Sequence, residues 1–360
     1  MNLHVVPDNS FINKFCDNLE ELGLGENNKV IVRSNEGALK SIKHNLPFAP
    51  LYSSRFSSLI GNTSQYEKVF IHYLTPLLYR WLTKNNFQEV NWMIWGGDLY
   101  NLPALDRICY ESRTWDEYVR KDWSAQTVLY NLKIKLTQSP FQEKAYSKIK
   151  NVLTWMREEY SFAMDNLSLN AHHKFFFYEN QLPYEKLDAL AKPGNSSQQL
   201  SLILGNSGSP ANNHLEAVQY LENNRIAVDL VIPVSYGDKR YIPFLKKTLK
   251  FSYGKIEFLD RYMPFEEYLS LLASADGLIM NTIRPQGYGN ILMMMYMGKP
   301  VFFNPKNISL PDLNAADLRW MPMDDLNSSE ILRSEVPNKE AVIKLLSHDT
   351  LLKAYRELFS

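Results

Sequence analysis

The stretch that most constrains this chain runs from Gln199 to Gly237, QLSLILGNSGSPANNHLEAVQYLENNRIAVDLVIPVSYG. Leu200 to Leu204 is a short apolar run of the kind that becomes a buried parallel strand, and it breaks at once into Gly205-Asn206-Ser207-Gly208-Ser209-Pro210. A helix is expected to begin near Asn212 or Asn213, whose side chains can cap free backbone N–H groups, with Leu215, Val218 and Leu221 along one face. Val228 to Val234 is again apolar and β-branched. These elements form a β-α-β unit with a glycine-rich turn aimed at a helix start.

Glycines let a backbone approach a ligand, and the unpaired N–H groups of a helix start attract anions such as a diphosphate. The turn is not a Walker A loop, a Gly-x-Gly-x-x-Gly fingerprint or a Gly-x-Ser-x-Gly elbow, because the spacing differs from each. Alone, it reads equally well as a tight strand-to-helix turn with no ligand. A second unit adds weight. Lys255 to Phe258 is a strand, a helix runs from Pro264 to Ala275, and Gly277 to Met280 is a buried strand. Then come Asn281-Thr-Ile-Arg-Pro-Gln-Gly-Tyr-Gly-Asn290, an apolar helix Ile291 to Met297 and a strand Pro300 to Asn304. Two glycine turns at carboxyl ends of strands in one domain point to a nucleotide-sized anionic ligand.

The segments WMIWGGDLY (92–100), LILGNSGSPANNH (202–214), VIPVSYG (231–237) and the run from Phe265 through RPQGYGN to Pro300 resemble the bacterial 4-acetamido-4,6-dideoxygalactosyltransferase family, glycosyltransferase family 56. The similarity extends from the N-terminal strand to about Asn304. The resemblance implies an α/β fold of the GT-B type, with two Rossmann-like domains facing a central cleft. It further implies transfer of a sugar such as Fuc4NAc, or a fucose-like sugar, from a nucleotide-diphosphate donor, TDP above all. The acceptor would be a lipid-linked saccharide or oligosaccharide of bacterial surface polysaccharide, met as a peripheral protein at the cytoplasmic face of the inner membrane. Many GT-B enzymes carry a Glu in the helix after the second glycine turn; this chain has Asn290 and methionines there.

Length and composition agree with two domains. At 360 residues the chain exceeds one comfortable core. Its 39 basic and 39 acidic residues cancel, so no global positive field exists and nucleic acid is not expected as a partner. Two cysteines, Cys16 and Cys109, match no disulfide framework or metal spacing and favour a reducing, cytoplasmic setting. No stretch approaches a membrane span, and MNLHVVPDNS reads as a first strand rather than a leader. The expected domains are 1–190 for the acceptor and 199–340 for the nucleotide sugar, joined by a linker at 191–198. The resemblance implies that a C-terminal helix at 341–360 packs back on the first.

In the first domain, strands are expected at Leu3–Val6, Val30–Arg33, Glu67–Tyr73, Val90–Trp95, Val152–Trp155 and Lys174–Tyr178, the last ending in Glu179-Asn180-Gln181. Asp8 lies in the loop after the first, and Trp95, Gly97 and Asp98 lie at the end of the fourth. These positions make Asp8, Trp95 and Gly97 candidates for the acceptor. Asp98, after two glycines, is a candidate general base or equally a helix cap, with His72 as the second candidate base. Donor candidates are Gly205, Asn206, Ser207, Asn213 and His214 at the first turn, Tyr236 and Gly237 after the next strand, and Arg284, Gln286, Gly287, Tyr288, Gly289 and Asn290 at the second turn. The chain has no Asp-x-Asp, so no metal or other cofactor is expected, and helix N-termini with Arg284 would meet the phosphate charge. A nucleotide-sugar epimerase and a non-catalytic nucleotide-sugar binder fit the glycine turns as well. Incubation with TDP- or UDP-sugars separates the three, since only a transferase releases the nucleoside diphosphate.

Overall fold

The computed structural model describes residues 1–102, 105–121, 128–129, 132–133, 135–136, 139–178, 182–190, 200–326 and 331–360. Apolar runs become strands paired in parallel, in two separate sheets. The first has the order β3-β2-β1-β4-β5-β6-β7, with β1 Asn2–Pro7, β2 Asn28–Arg33, β3 Phe48–Ala49, β4 Lys68–His72, β5 Glu89–Met93, β6 Ile149–Leu153 and β7 His172–Lys174. The second has the order β10-β9-β8-β11-β12-β13, with β8 Ser201–Leu204, β9 Asp229–Pro233, β10 Ile256–Leu259, β11 Gly277–Met280, β12 Val301–Phe303 and β13 Met321–Pro322. Each sheet changes direction at one point, between β1 and β4 and between β8 and β11.

Two compact units contain these sheets. One comprises Met1–Leu102, Ser124–Asn180 and Leu346–Ser360, and the other Pro103–Trp123 and Gln181–Leu345. The segment 103–123 therefore belongs with the second sheet, although it precedes the last strands of the first in sequence. The linker expected at 191–198 and the Glu179–Gln181 strand end lie outside the described residues.

In the first unit, the helix Phe11–Glu21 buries Ile12, Phe15, Cys16 and Leu19, one stripe at helical spacing. The helix His348–Phe359 likewise buries Leu351, Ala354, Tyr355, Leu358 and Phe359, and its N-terminus is capped where the Ser347 side chain accepts the Thr350 N–H. Both stripes close one face of the sheet over Val6, Val32, Phe70 and Met93. In the second unit Leu202, Leu204, Leu230, Ile232 and Ile279 form the core with Leu215, Val218, Leu221 and Leu245. Both cysteines are buried and unbridged.

Several expected elements move. The last strand of the first sheet is His172–Lys174, upstream of the expected Lys174–Tyr178. Phe176, which is buried, and Tyr178 pack on aromatic rings instead, Phe176 on Tyr355 at 5.4 Å. The segment 38–64 holds β3 and a helix Ser54–Ile60. The helix after the first glycine turn starts at His214, with no side-chain cap: Asn213 adopts φ +48 and directs its amide elsewhere. Among the described residues no helix is long and apolar enough to cross a membrane.

Candidate active site

The carboxyl ends of β1 and β4 flank the crevice where an open α/β sheet takes its ligand. Asp8 follows β1, Tyr73 follows β4, and Trp95 to Asp98 follow β5. Asp98 is 4% exposed, and three donors fill its carboxylate. Its Oδ2 accepts the Leu74 N–H at 2.9 Å and the Trp92 indole N–H at 2.7 Å, while Oδ1 accepts the Trp95 N–H at 2.9 Å. Burial pushes the carboxyl up to about 6 against these bonds, each of which favours the charged form. Of the two expected roles, base or helix cap, the cap is not what the structure shows. The short helix Gly97–Tyr100 starts on Gly96 at φ +84 without a side-chain cap, and Asp98 staples the loop after β4 to the loop after β5.

Beside it, Arg33 Nη2 donates to the Tyr73 carbonyl at 2.8 Å. Burial lowers this guanidinium to about 10, with the Asp98 charge opposing the shift. Tyr73 adopts φ +64, and its hydroxyl lies 2.9 Å from where a Cβ on Gly97 would stand. Gly97 thus makes room for the Tyr73 ring. The Asp8 carboxylate accepts the backbone N–H groups of Lys40 at 2.6 Å, Ser41 at 3.0 Å and Ile42 at 3.1 Å, tying the segment after β2 to the end of β1. Trp95 is partly exposed, 5.6 Å from the Tyr73 ring and 5.6 Å from the perpendicular ring of Phe11, which is 51% exposed. These three rings form an aromatic wall.

His72 is fully buried, and burial holds its imidazole well below the usual range. Its Nε2 lies 3.0 Å from His4 Nδ1, and its Nδ1 lies 2.6 Å from the Tyr178 hydroxyl. His72, the second candidate base, is thus an enclosed imidazole with both ring nitrogens engaged.

In the second unit, β8 and β11 flank the point where strand order reverses, and each ends in one of the glycine turns. Gly205 at φ +72 donates its N–H to the Ile279 carbonyl at 2.8 Å. Gly287 at φ +71 lies so close to the other turn that a Cβ there would stand 3.0 Å from Asn206 Cβ. Gln286 Nε2 donates to Asn206 Oδ1 at 3.1 Å and to Asn212 Oδ1 at 2.9 Å. Asn206 Nδ2 donates to the hydroxyl of Tyr236, which is 60% exposed, at 3.1 Å. Arg284 Nε donates to Gln286 Oε1 at 3.0 Å, and among the described residues Arg284 has no carboxylate partner. The helix Tyr288–Tyr296 starts shortly after Arg284 in sequence, with first-turn amides that no helical carbonyl can reach. A Cβ on Gly289 would meet nothing within 4 Å.

The remaining donor candidates shape this edge from behind. Ser207, Asn213 and His214 are buried. Asn213 Nδ2 donates to the Asn281 carbonyl at 3.0 Å, Asn281 Nδ2 returns a bond to the Asn213 carbonyl at 3.0 Å, and Asn213 Oδ1 accepts the Glu111 N–H at 2.9 Å. Burial pushes His214 down to about 3, and its Nε2 has no hydrogen-bond partner. Gly237 at φ +122 lies against the Gly208 backbone, 2.5 Å from Gly208 C to its would-be Cβ. Asn290 Nδ2 donates to the Tyr268 hydroxyl at 2.6 Å, and the Tyr288 hydroxyl donates to Ser309 Oγ.

Sequence reasoning did not single out Phe11, Arg33, Tyr178 or Asn281, and it read Asn212 only as a possible cap. The asparagines carried a signal: Asn206, Asn212, Asn213, Asn281 and Asn304 all follow a strand of the second sheet. Each supplies a donor and an acceptor to loops that have no ladder to satisfy them.

Two Rossmann-like units, each with a parallel sheet whose strand order reverses once, are the architecture of a GT-B glycosyltransferase. The profile of the 4-alpha-L-fucosyltransferase family, glycosyl transferase group 56, matches residues 131–343. The chain belongs to that family and is a glycosyltransferase. Its fold is similar to that of sucrose-phosphate synthase from Thermosynechococcus elongatus, with TM-score 0.60, 12% identity and coverage of 100% of this chain and 99% of that one. It is also similar to a glycosyltransferase from Rickettsia africae ESF-5, with TM-score 0.57, 14% identity and coverage of 99% and 97%. A UDP-forming α,α-trehalose-phosphate synthase from Burkholderia xenovorans gives TM-score 0.56, 9% identity and coverage of 99% and 97%. What is shared at these identities is the fold.

Proposed function

We propose that the second unit, as the nucleotide-sugar domain, binds a nucleotide-diphosphate sugar at its two glycine turns. The observation that carries this reading is Arg284, partly buried, without a carboxylate partner among the described residues, shortly before the first turn of the helix Tyr288–Tyr296 in sequence. A guanidinium and a helix N-terminus close to each other in the chain can hold a diphosphate and stabilise it as a leaving group. The exposed Tyr236 ring, fixed by Asn206, is the surface for the nucleoside or sugar. The donor is a TDP-linked 4-acetamido-4,6-dideoxygalactose or a fucose-like sugar, in keeping with the family.

The first unit, as the acceptor domain, takes a lipid-linked saccharide or oligosaccharide of bacterial surface polysaccharide. Its sugar rests on the wall of Phe11, Tyr73 and Trp95, with Asp8 within reach of its hydroxyls. Asp98 serves the transfer by holding Trp95 and the loop after β4 in place. A lipid-linked acceptor places the protein at the cytoplasmic face of the inner membrane, in peripheral contact.

Purified protein given TDP- or UDP-sugars with a lipid-linked acceptor should release nucleoside diphosphate and extend the acceptor. An isomerised donor would instead mark an epimerase, and an unchanged donor a binder. Arg284→Ala should weaken TDP binding by about 10- to 100-fold, the worth of a charge-assisted contact. Thermal stabilisation by TDP should survive EDTA. Dependence on a divalent ion would show that amides and Arg284 do not suffice.

A further inference from the structure

Several buried polar groups of the first unit form one line whose proton positions can be derived. Asn28 Nδ2 donates to the carbonyls of Leu24 and Phe359, both at 2.8 Å, and Asn2 Nδ2 donates to the Phe359 carbonyl at 3.3 Å. Carbonyls only accept, so the Asn28 nitrogen must face them and its Oδ1 must face the other way. There Oδ1 receives Asn2 Nδ2 at 3.0 Å and lies 3.0 Å from His4 Nε2. The proton of this last bond therefore sits on His4. The His4 ring is fully buried, stacked on Phe70 at 4.7 Å and edge-on to Phe359 at 5.2 Å. In that apolar setting it is neutral, which leaves Nδ1 bare.

His72 Nε2, 3.0 Å away, must then carry a proton and donate it. The bare Nδ1 of His72 receives the Tyr178 hydroxyl at 2.6 Å. With that proton committed, the Tyr178 oxygen accepts the indole N–H of Trp95 at 2.7 Å. Four hydrogen bonds thus point one way, from Trp95 through Tyr178, His72 and His4 to Asn28, and Asn28 is anchored on the helix His348–Phe359.

We propose that this line is a positioning device that fixes the plane of the Trp95 indole, with His72, Tyr178 and His4 as positioning residues for the acceptor sugar. That the ligand is an acceptor sugar rests on the transfer reading above; the device itself does not. Asp98 holds the backbone N–H of Trp95, and Tyr178 holds its ring N–H, so neither the loop nor the side-chain torsions are left to turn. A ring fixed from behind presents one face outward, and ring orientation decides how sugar C–H groups stack.

The first test needs no reaction. Nitrogen-15 spectra of the unmodified protein at pH 7 should show His4 and His72 protonated at Nε2 and bare at Nδ1. Tyr178→Phe should move the Trp95 indole resonance, assigned by its loss in Trp95→Phe. A proton on Nδ1 of either histidine, or an unmoved indole resonance, would overturn the device. Should Tyr178→Phe fail to fold, the tautomers of the unmodified protein decide.

The second test reads function. Tyr178→Phe should raise the acceptor KM about tenfold, with kcat and donor KM unchanged, the scale of one lost hydrogen bond. In a Trp95→Phe background the same change should add nothing. Equal effects in both backgrounds would overturn the proposal. Inertness toward every TDP- and UDP-sugar would sink the transfer reading, and the His4, His72 and Trp95 resonances would still decide the device.

Discussion

At the scale of single residues, Asp98 combines the place of a candidate base with a carboxylate that N–H donors already fill. Its place after two glycines at a strand end suggests a base, and on that reading Asp98→Asn would leave stability nearly intact. With three N–H donors aimed at the carboxylate, an Asn instead brings its own NH2 group against at least one of them. Asp98→Asn should therefore cost about 1–3 kcal/mol, read as a fall in the urea midpoint. The buried histidines set the acid response. His4 is held down to about 4 and His214 to about 3, with His72 also well below 6.5. The folded state refuses protons that the unfolded chain takes up, so their contribution is full above pH 6.5 and is lost as pH falls. Asp98, raised to about 6, runs the other way: its contribution is present below pH 3.8 and fades as pH rises through 6. Three groups outweigh one at about 1.4 kcal/mol per group per pH unit, so stability should drop between pH 6.5 and 4.5 in urea titrations.

At the scale of elements, the glycine turns divide into two kinds that their spacing alone does not distinguish. Gly208 and Gly237 face each other's backbone, and a Cβ on Gly237 has no room. Gly289, in the first turn of the helix Tyr288–Tyr296, has open space around its would-be Cβ. Gly289→Ala should leave the melting temperature unchanged or slightly raised, since alanine favours a helix by up to about 1 kcal/mol, and should weaken TDP binding. Gly237→Ala should lower the melting temperature by several degrees at least. If both variants bound TDP like the parent, the turns would not be the ligand site. The turns, their helices and the strands that carry them were legible because apolar runs broken by glycine follow from local chemistry. The cap was not: Asn213 has cap chemistry, yet its amide answers Asn281, 68 residues away. The Trp95–Asn28 line was equally hidden, because its members are scattered from position 4 to position 178 and only the sheet order makes them neighbours.

At the scale of the whole molecule, two parallel α/β units were readable from the alternation of strand and helix patterns, but the assignment of segments to units was not. Residues 103–123 lie with the sheet that sequence order does not suggest, and 346–360 were placed with the first only through the family resemblance. Removing residues 348–360 strips the Phe359 ring from His4, Phe15 and Phe70 and leaves Asn28 facing an absent carbonyl. Hydrogen exchange should then show the amides of β1, β2 and β4 unprotected, with β8, β9 and β11 protected as in the full chain. Loss of protection across both sheets would mean that the two units do not unfold separately. The same arrangement sets a timetable for synthesis. A ribosome makes the first sheet early, but the residues that seal it follow the entire second unit. The nascent chain must carry an unfinished first sheet, its Val6–Phe70 face open to chaperones, while a later-made neighbour is already free to fold.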